Sequence, residues 1–163
     1  MYGLPRQEPL KKMCCDMREQ GVADEFIIGP EFEFYVFSHI AYENLPQRAF
    51  FEIDSHQANW NMGDNSGQNL GYKTPHHGGY HVTAPWDITR DLRNEMCLCL
   101  EKLGVPVKYH HHEVGAAGQL EIEIEFGPMQ KPRVGLNFYQ LPLLTNIDRK
   151  KQEFTIICRI CFR

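Results

Sequence analysis

Apolar positions recur along the chain at two spacings. Between Pro9 and Gly21 they fall three and four apart, at Leu10, Met13, Cys14 and Met17. That stripe predicts a helix, with Pro9 suited to its first turn and Gly21 to its stop. From Phe26 to Phe37 the period becomes two, interrupted at Gly29-Pro30. Here Glu31, Glu33 and Tyr35 share one strand face and Phe32, Phe34 and Val36 the other. Gln47 to Asp54 gives another strand, with Ala49, Phe51 and Ile53 alternating against Phe50 and Glu52. A polar segment, Ser55 to Gly79, follows, rich in Asn, Gly and His. Loops of that length in compact domains are functional or mobile. Its Gly67 to Thr74 run has neither the spacing nor the strand–loop–helix setting of a phosphate loop.

Extended structure is expected again from Gly78 to Ala84. Asp87 is placed to cap the clearest helix, striped by Ile88, Leu92, Met96, Cys99, Leu100 and Leu103, with Gly104 at its end. The charges of that helix read as a solvated face. Val105 to Glu113 and Gln119 to Phe126 read as antiparallel strands joined by the small-residue loop Gly115 to Gly118. On the second of them Leu120, Ile122, Ile124 and Phe126 face one way and Glu121, Glu123 and Glu125 the other.

Composition narrows the class. A chain of 163 residues is one domain's worth, long enough for a real core. The net charge of −4 argues against a nucleic-acid surface. No apolar run reaches the length of a membrane span, and the N-terminus does not read as a signal peptide. The six cysteines form no disulfide framework and read as reduced thiols; Cys158 and Cys161 lack a second pair that would complete a zinc site. Charge is uneven: residues 1–129 carry 10 Lys/Arg and 19 Asp/Glu, and residues 130–163 carry 7 and 2. The chain therefore changes character near Met129.

The candidate chemistry lies in Tyr109-His110-His111-His112-Glu113 and the strand after it. Same-face carboxylates repel unless they are solvated or neutralised, so Glu121, Glu123 and Glu125 are either a wet face or part of a cation site. Glu31 and Glu33 pose the same choice. Hard cations prefer oxygen ligands, and Glu31, Glu33, Glu113 and Glu121 all stand where carboxylates from neighbouring strands converge. Of the histidine run, one member in a site and the others packed or exposed is the ordinary pattern. His76 and His77 read as surface.

Taken in order, four stretches resemble the glutamine synthetase family of the bacterial type I kind. They are Gly29-Pro-Glu-Phe-Glu-Phe34, Gly71-Tyr-Lys-Thr-Pro-His-His-Gly-Gly-Tyr80, Asp91-Leu-Arg-Asn-Glu-Met-Cys97 and His110-His-His-Glu-Val-Gly-Ala-Ala-Gly-Gln-Leu-Glu121. The resemblance covers about residues 5–128. It implies an α+β fold, a curved antiparallel sheet with flanking helices, part of the guanido-kinase-like catalytic fold. It implies an ATP-dependent glutamate–ammonia ligase that makes glutamine through γ-glutamyl phosphate. Two divalent cations, Mg²⁺ or Mn²⁺, would serve the complete site. Glu33, Glu113 and Glu121 fall on the ligands of one, and Glu31 on a ligand of the other. Glu123 and Glu125 are left as bystanders. Tyr80 and Glu113 fall beside the ammonium pocket as catalytic residues, and Lys108 and Phe126 on the nucleotide site. The implied partners are glutamate, ammonium and ATP, in a cytoplasmic homo-dodecamer with active sites between subunits, without nucleic acid or membrane.

The resemblance also has gaps. The family's small N-terminal domain and the later half of its catalytic domain, with its phosphate- and substrate-binding arginines, are not matched. Residues 1–128 are thus expected to be a partial catalytic domain. Residues 129–163 read as a divergent basic tail, a frame change or a true extension. Such a fragment is expected to be inactive alone. The alternatives are a non-catalytic cation-binding remnant and another carboxylate–amine ligase of the same fold.

Overall fold

The computed structural model describes residues 8–25, 27–63, 69, 71–115, 117–128 and 155–161, with the backbone alone for 8–11 and 155–161. Its elements are α1 (Glu8–Glu19), β1 (Ile27–Ile28), β2 (Glu31–Phe37), β3 (His39–Leu45), β4 (Arg48–Asp54), α2 (Arg90–Lys102), β5 (Val107–His112), β6 (Gln119–Ile124), β7 (Gly127–Pro128) and β8 (Thr155–Cys161). The principal sheet is antiparallel throughout, in the order β5-β6-β2-β8. The α+β architecture expected from the sequence is present. Among the described residues, no helix is long and apolar enough to cross a membrane.

Strand alternation decides which face of the sheet is core. Phe32, Phe34 and Val36 of β2 and Leu120, Ile122 and Ile124 of β6 are buried together with Met96, Cys97 and Leu100 of α2 and Val105. Burying each large side chain contributes roughly 1.5–3 kcal/mol, so this sandwich of α2 on the sheet carries much of the fold's hydrophobic stabilisation. Cys97 behaves as a core thiol: burial, against the pull of Arg93, pushes it up to about 11.

Three local expectations are corrected. Thr89, not Asp87, is the N-cap of α2, and it makes no side-chain cap bond. Asp87 instead receives Arg93, whose Nη2 lies 2.6 Å from Asp87 Oδ2 with both side chains buried. The charges of α2 are therefore not all a solvated face. Arg93 Nη1 also donates to Thr89 Oγ1 at 2.8 Å, so one guanidinium ties the start of the helix together. Second, residues 78–84 do not form a strand; they turn, with His81 at a φ of 54°. Third, β3 was not anticipated. His-Ile-Ala-Tyr-Glu-Asn-Leu alternates too weakly to announce a strand, and its partner β4 supplies the pairing, Tyr42 opposite Phe51. Gly104, with a φ of 80°, ends α2 where a left-handed residue was expected.

Cys158 and Cys161 lie on β8, whose side chains are outside the described set. Among the described residues Cys14 and Cys97 are buried thiols and Cys15 an exposed one.

Candidate metal centre

The face of the sheet opposite the core carries the chemistry. Antiparallel register sets Glu33 opposite Glu121 and Glu31 opposite Glu123 across β2 and β6. On the other side of β6, Tyr109 stands opposite Glu123 and His111 opposite Glu121. Three strands thus bring acidic, imidazole and phenol groups to one patch, because each places its alternate residues on the same side. A register irregularity between Val107 and Tyr109 adjusts β5 beside it.

Two groupings could hold an ion. Ligand atoms of His111, Glu113 and Glu121 lie within 4.8 Å of one another, all three residues buried. Those of Glu31, Glu121 and Glu123 also lie within 4.8 Å. Glu121 belongs to both. His111 sits between two carboxylates, with Nδ1 3.6 Å from Glu113 Oε1 and Nε2 3.6 Å from Glu121 Oε2. Glu113 follows β5 and is oriented by Val114 N, which donates to Glu113 Oε2 at 2.8 Å.

The electrostatics fit a cation. Burial, then a hydrogen bond with Glu113 and the charges of Glu113, Glu31 and Glu123, push the Glu121 carboxyl up to about 8. Carboxylates crowded this way in a buried site are stabilised by a divalent ion, and oxygen-rich donor sets with one imidazole suit such ions. Glu123 behaves differently. Burial draws it upward, but hydrogen bonds from Tyr109 and Lys108 and the Lys108 charge bring it below the usual carboxylate value. Tyr109, hydrogen-bonded to Glu123, is pushed up to about 12 by that bond first.

The sequence-predicted residues fall around this patch unevenly. Glu113 and Glu121 come together. Glu31 joins Glu121 and Glu123, and Glu33 stands in register with Glu121 while its Oε2 accepts from Gln119 Nε2 at 3.1 Å. Tyr80 is exposed, its ring edge-on to His111 at 5.4 Å. Lys108 and Phe126 meet, with Nζ 4.6 Å from the ring, and Lys108 also pairs with Glu123 at 3.0 Å.

Two residues are added. Glu123 was left outside the site, yet it is buried and shares a grouping with Glu31 and Glu121; Glu125 is exposed. His111 is the member of the histidine run at the site, stacked on His81 at 4.1 Å. The available signal was register parity: His111 and Glu121 are facing positions of adjacent strands. The other two histidines point into the fold. His110 Nδ1 accepts from Arg93 Nε at 3.1 Å, and burial, then the Arg93 charge, lowers its basicity.

Comparison with known proteins places these residues in context. A family model described as "Glutamine synthetase, catalytic domain" matches residues 3–131. The chain is 38% identical over 142 residues to a glutamine synthetase of Frankia alni, covering 86% of this chain and 30% of that protein. It is 38% identical over 125 residues to one of Vibrio cholerae, covering 76% and 27%. It is 41% identical over 128 residues to one of Streptomyces coelicolor, covering 78% and 27%. A glutamine synthetase of Plasmodium falciparum, solved by cryo-electron microscopy, superposes with a TM-score of 0.67 at 19% identity, covering 100% of this chain and 35% of that one. At that identity the likeness speaks to the fold. The chain spans 30% or less of the length of these curated relatives.

Proposed function

The chain belongs to the glutamine synthetase catalytic-domain family, and from that premise we propose that it contributes part of the active site of an ATP-dependent glutamate–ammonia ligase. The observation that carries this reading is the convergence on one patch of carboxylates that are buried on β6 and at the end of β5 and half-buried on β2. The family uses ATP and divalent metal, and Mg²⁺ or Mn²⁺ are the ions proposed here. Glu33, Glu113 and Glu121 would hold one ion and Glu31 a second, with His111 and Glu123 adjoining. Held there, such ions would supply positive charge that offsets the negative charge of the phosphoryl group being transferred.

The chain's own groups have separable tasks. Glu113, its carboxylate fixed by Val114 N, would take a proton from ammonium while the phenol oxygen of Tyr80, exposed beside His111, accepts a hydrogen bond from it; the ammonia so formed would attack γ-glutamyl phosphate and expel phosphate. Lys108 and Phe126 form a cation–aromatic pair at the nucleotide edge. The remaining substrate and phosphate groups come from elsewhere in the complete enzyme, a cytoplasmic homo-oligomer whose sites lie between subunits. By itself the 163-residue chain is expected to bind the ion and to form no glutamine.

A Mn²⁺ titration tests this. Binding by the chain is expected to weaken about tenfold or more in Glu113→Gln plus Glu121→Gln, the order seen when groups around a metal are removed. Equal binding by both proteins would sink the reading.

A further inference from the structure

One buried pair outside the acidic patch has no part in the chemistry above. His112 is 0% exposed and Gln57 is 1% exposed, and they come from positions 55 residues apart. His112 Nε2 lies 2.9 Å from Gln57 Oε1, and its Nδ1 lies 2.9 Å from the Glu113 carbonyl oxygen. Gln57 reaches further, its Nε2 donating to Trp86 O at 2.7 Å, while its backbone carbonyl accepts from Thr74 N at 2.9 Å. The His112 carbonyl accepts from His81 N at 3.0 Å. Gly79 closes the same contact: a Cβ there would stand 2.5 Å from Glu113 O and 2.7 Å from the His112 ring.

We propose that Gln57 and His112 form a positioning pair that fastens residues 78–86, and with them Tyr80, against the strand end that presents Glu113. The inference rests on the functional reading above for why that placement matters. The fastened stretch has no helix or strand before α2, so its position depends on such ties. The earlier part of the segment is held separately. There Lys73 Nζ donates to His56 O, Asn61 Oδ1 and Asn69 Oδ1, while Asn61 Nδ2 donates to Asp54 Oδ2. Loss of Gln57 therefore acts locally. It leaves a His112 nitrogen unpaired in a buried place, which is costlier than losing a bond in water, and the Trp86 carbonyl unpaired in a partly buried one.

Amide exchange on the full chain decides the matter. Gln57→Met keeps the side-chain length and removes both polar ends. It is expected to speed exchange across residues 78–86 by about tenfold or more while α2 stays protected. His112→Phe is expected to do the same, and the double variant to be no worse than either single one. Gln57→Glu retains an oxygen facing His112 and is expected to restore most of the protection at His81. Unchanged exchange across 78–86 in Gln57→Met, or strictly additive effects in the double variant, would overturn the pairing. Should Gln57→Met lose protection everywhere, the Glu variant decides: equal loss there makes Gln57 an ordinary core contact and ends the proposal. In parallel, Mn²⁺ affinity is expected to fall several-fold in Gln57→Met. A wild-type chain that binds no Mn²⁺ would defeat the metal reading, while the exchange result would still stand or fall independently.

Discussion

On β6 Glu121 and Glu123 are 4% and 8% exposed, whereas on the β3–β4 hairpin Tyr42 and Phe51 are 77% and 78% exposed. Both regions alternate cleanly in places, and both invert the usual placement of polar and apolar groups. The difference lies in what surrounds each strand. β6 is flanked by β5 and β2, faces α2 on one side, and is buried at all six of its positions. The hairpin pairs only with itself among the described residues. Alternation assigns residues to faces; coverage by other elements decides whether a face is dry. A dry face carrying acids has to be compensated, and β6 shows how, with His111 between Glu113 and Glu121 and Lys108 on Glu123.

The largest effect is expected where a buried charge would lose its partner. Arg93→Met leaves Asp87 buried beside Thr89 without its guanidinium. Breaking one half of such a pair costs about 3–5 kcal/mol, read as a lower urea midpoint. A loss below about 1 kcal/mol would mean that water reaches the pair. Next comes Ile122→Ala on the covered face of β6. Its neighbours Phe34, Leu100 and Leu120 are also buried in the same core, and a loss of about 2–5 kcal/mol is expected. A small loss there would place β6 in a loose environment and erase the contrast with the hairpin.

Much of this was legible in the sequence, and the failures have a common cause. Period-two runs correctly gave β2, β5 and β6 and put Phe32, Phe34, Leu120 and Ile122 on one face. The helical stripe gave α2, yet Ile88 and Leu103 are exposed while Arg93 is buried, since which part of a stripe is covered depends on the neighbouring strand. Glu113 and Glu121 were found as a pair because motif order preserved them. Glu123 and His111 were passed over because a carboxylate defaults to water and one histidine among three looks like its neighbours. Register with Glu31 and Glu121, a property of pairing between distant strands, distinguishes them. β3 was missed because its pattern is weak and its strand exists through β4.

Acid supplies a smaller and more selective test of the covered region. Burial draws the Asp87 carboxyl upward, but hydrogen bonding and charge from Arg93 and bonds from Thr89 carry it below its ordinary 3.8. A depressed folded value means that this contribution is complete above pH 3.8 and is lost as pH falls through the folded value. Wild type should therefore lose more stability than Arg93→Met on going from pH 4 to pH 2 (about the range in which such carboxyls titrate). Parallel stability curves for the two proteins would show that the Arg93 contact does not set the Asp87 titration.

The smallest effect belongs to the hairpin. Phe51 stands opposite Tyr42 and next to Phe50, over whose ring the Arg48 guanidinium lies 5.1 Å from the centroid. Arg48 also pairs with Glu43 at 3.0 Å, so the charged ends gather at the turn while the rings project into solvent. A side chain already in water loses little on removal. Phe51→Ser should change unfolding stability by no more than about 0.5 kcal/mol, the range of ordinary surface substitutions. The cross-strand contact with Tyr42 sets the upper part of that range, since such pairs contribute roughly 0.2–1 kcal/mol. The informative comparison is with Ile122→Ala at the same protein concentration. If Phe51→Ser destabilised the chain by as much as the core variant, the hairpin would have to be covered in solution, and its difference from β6 would be one of partner rather than of exposure.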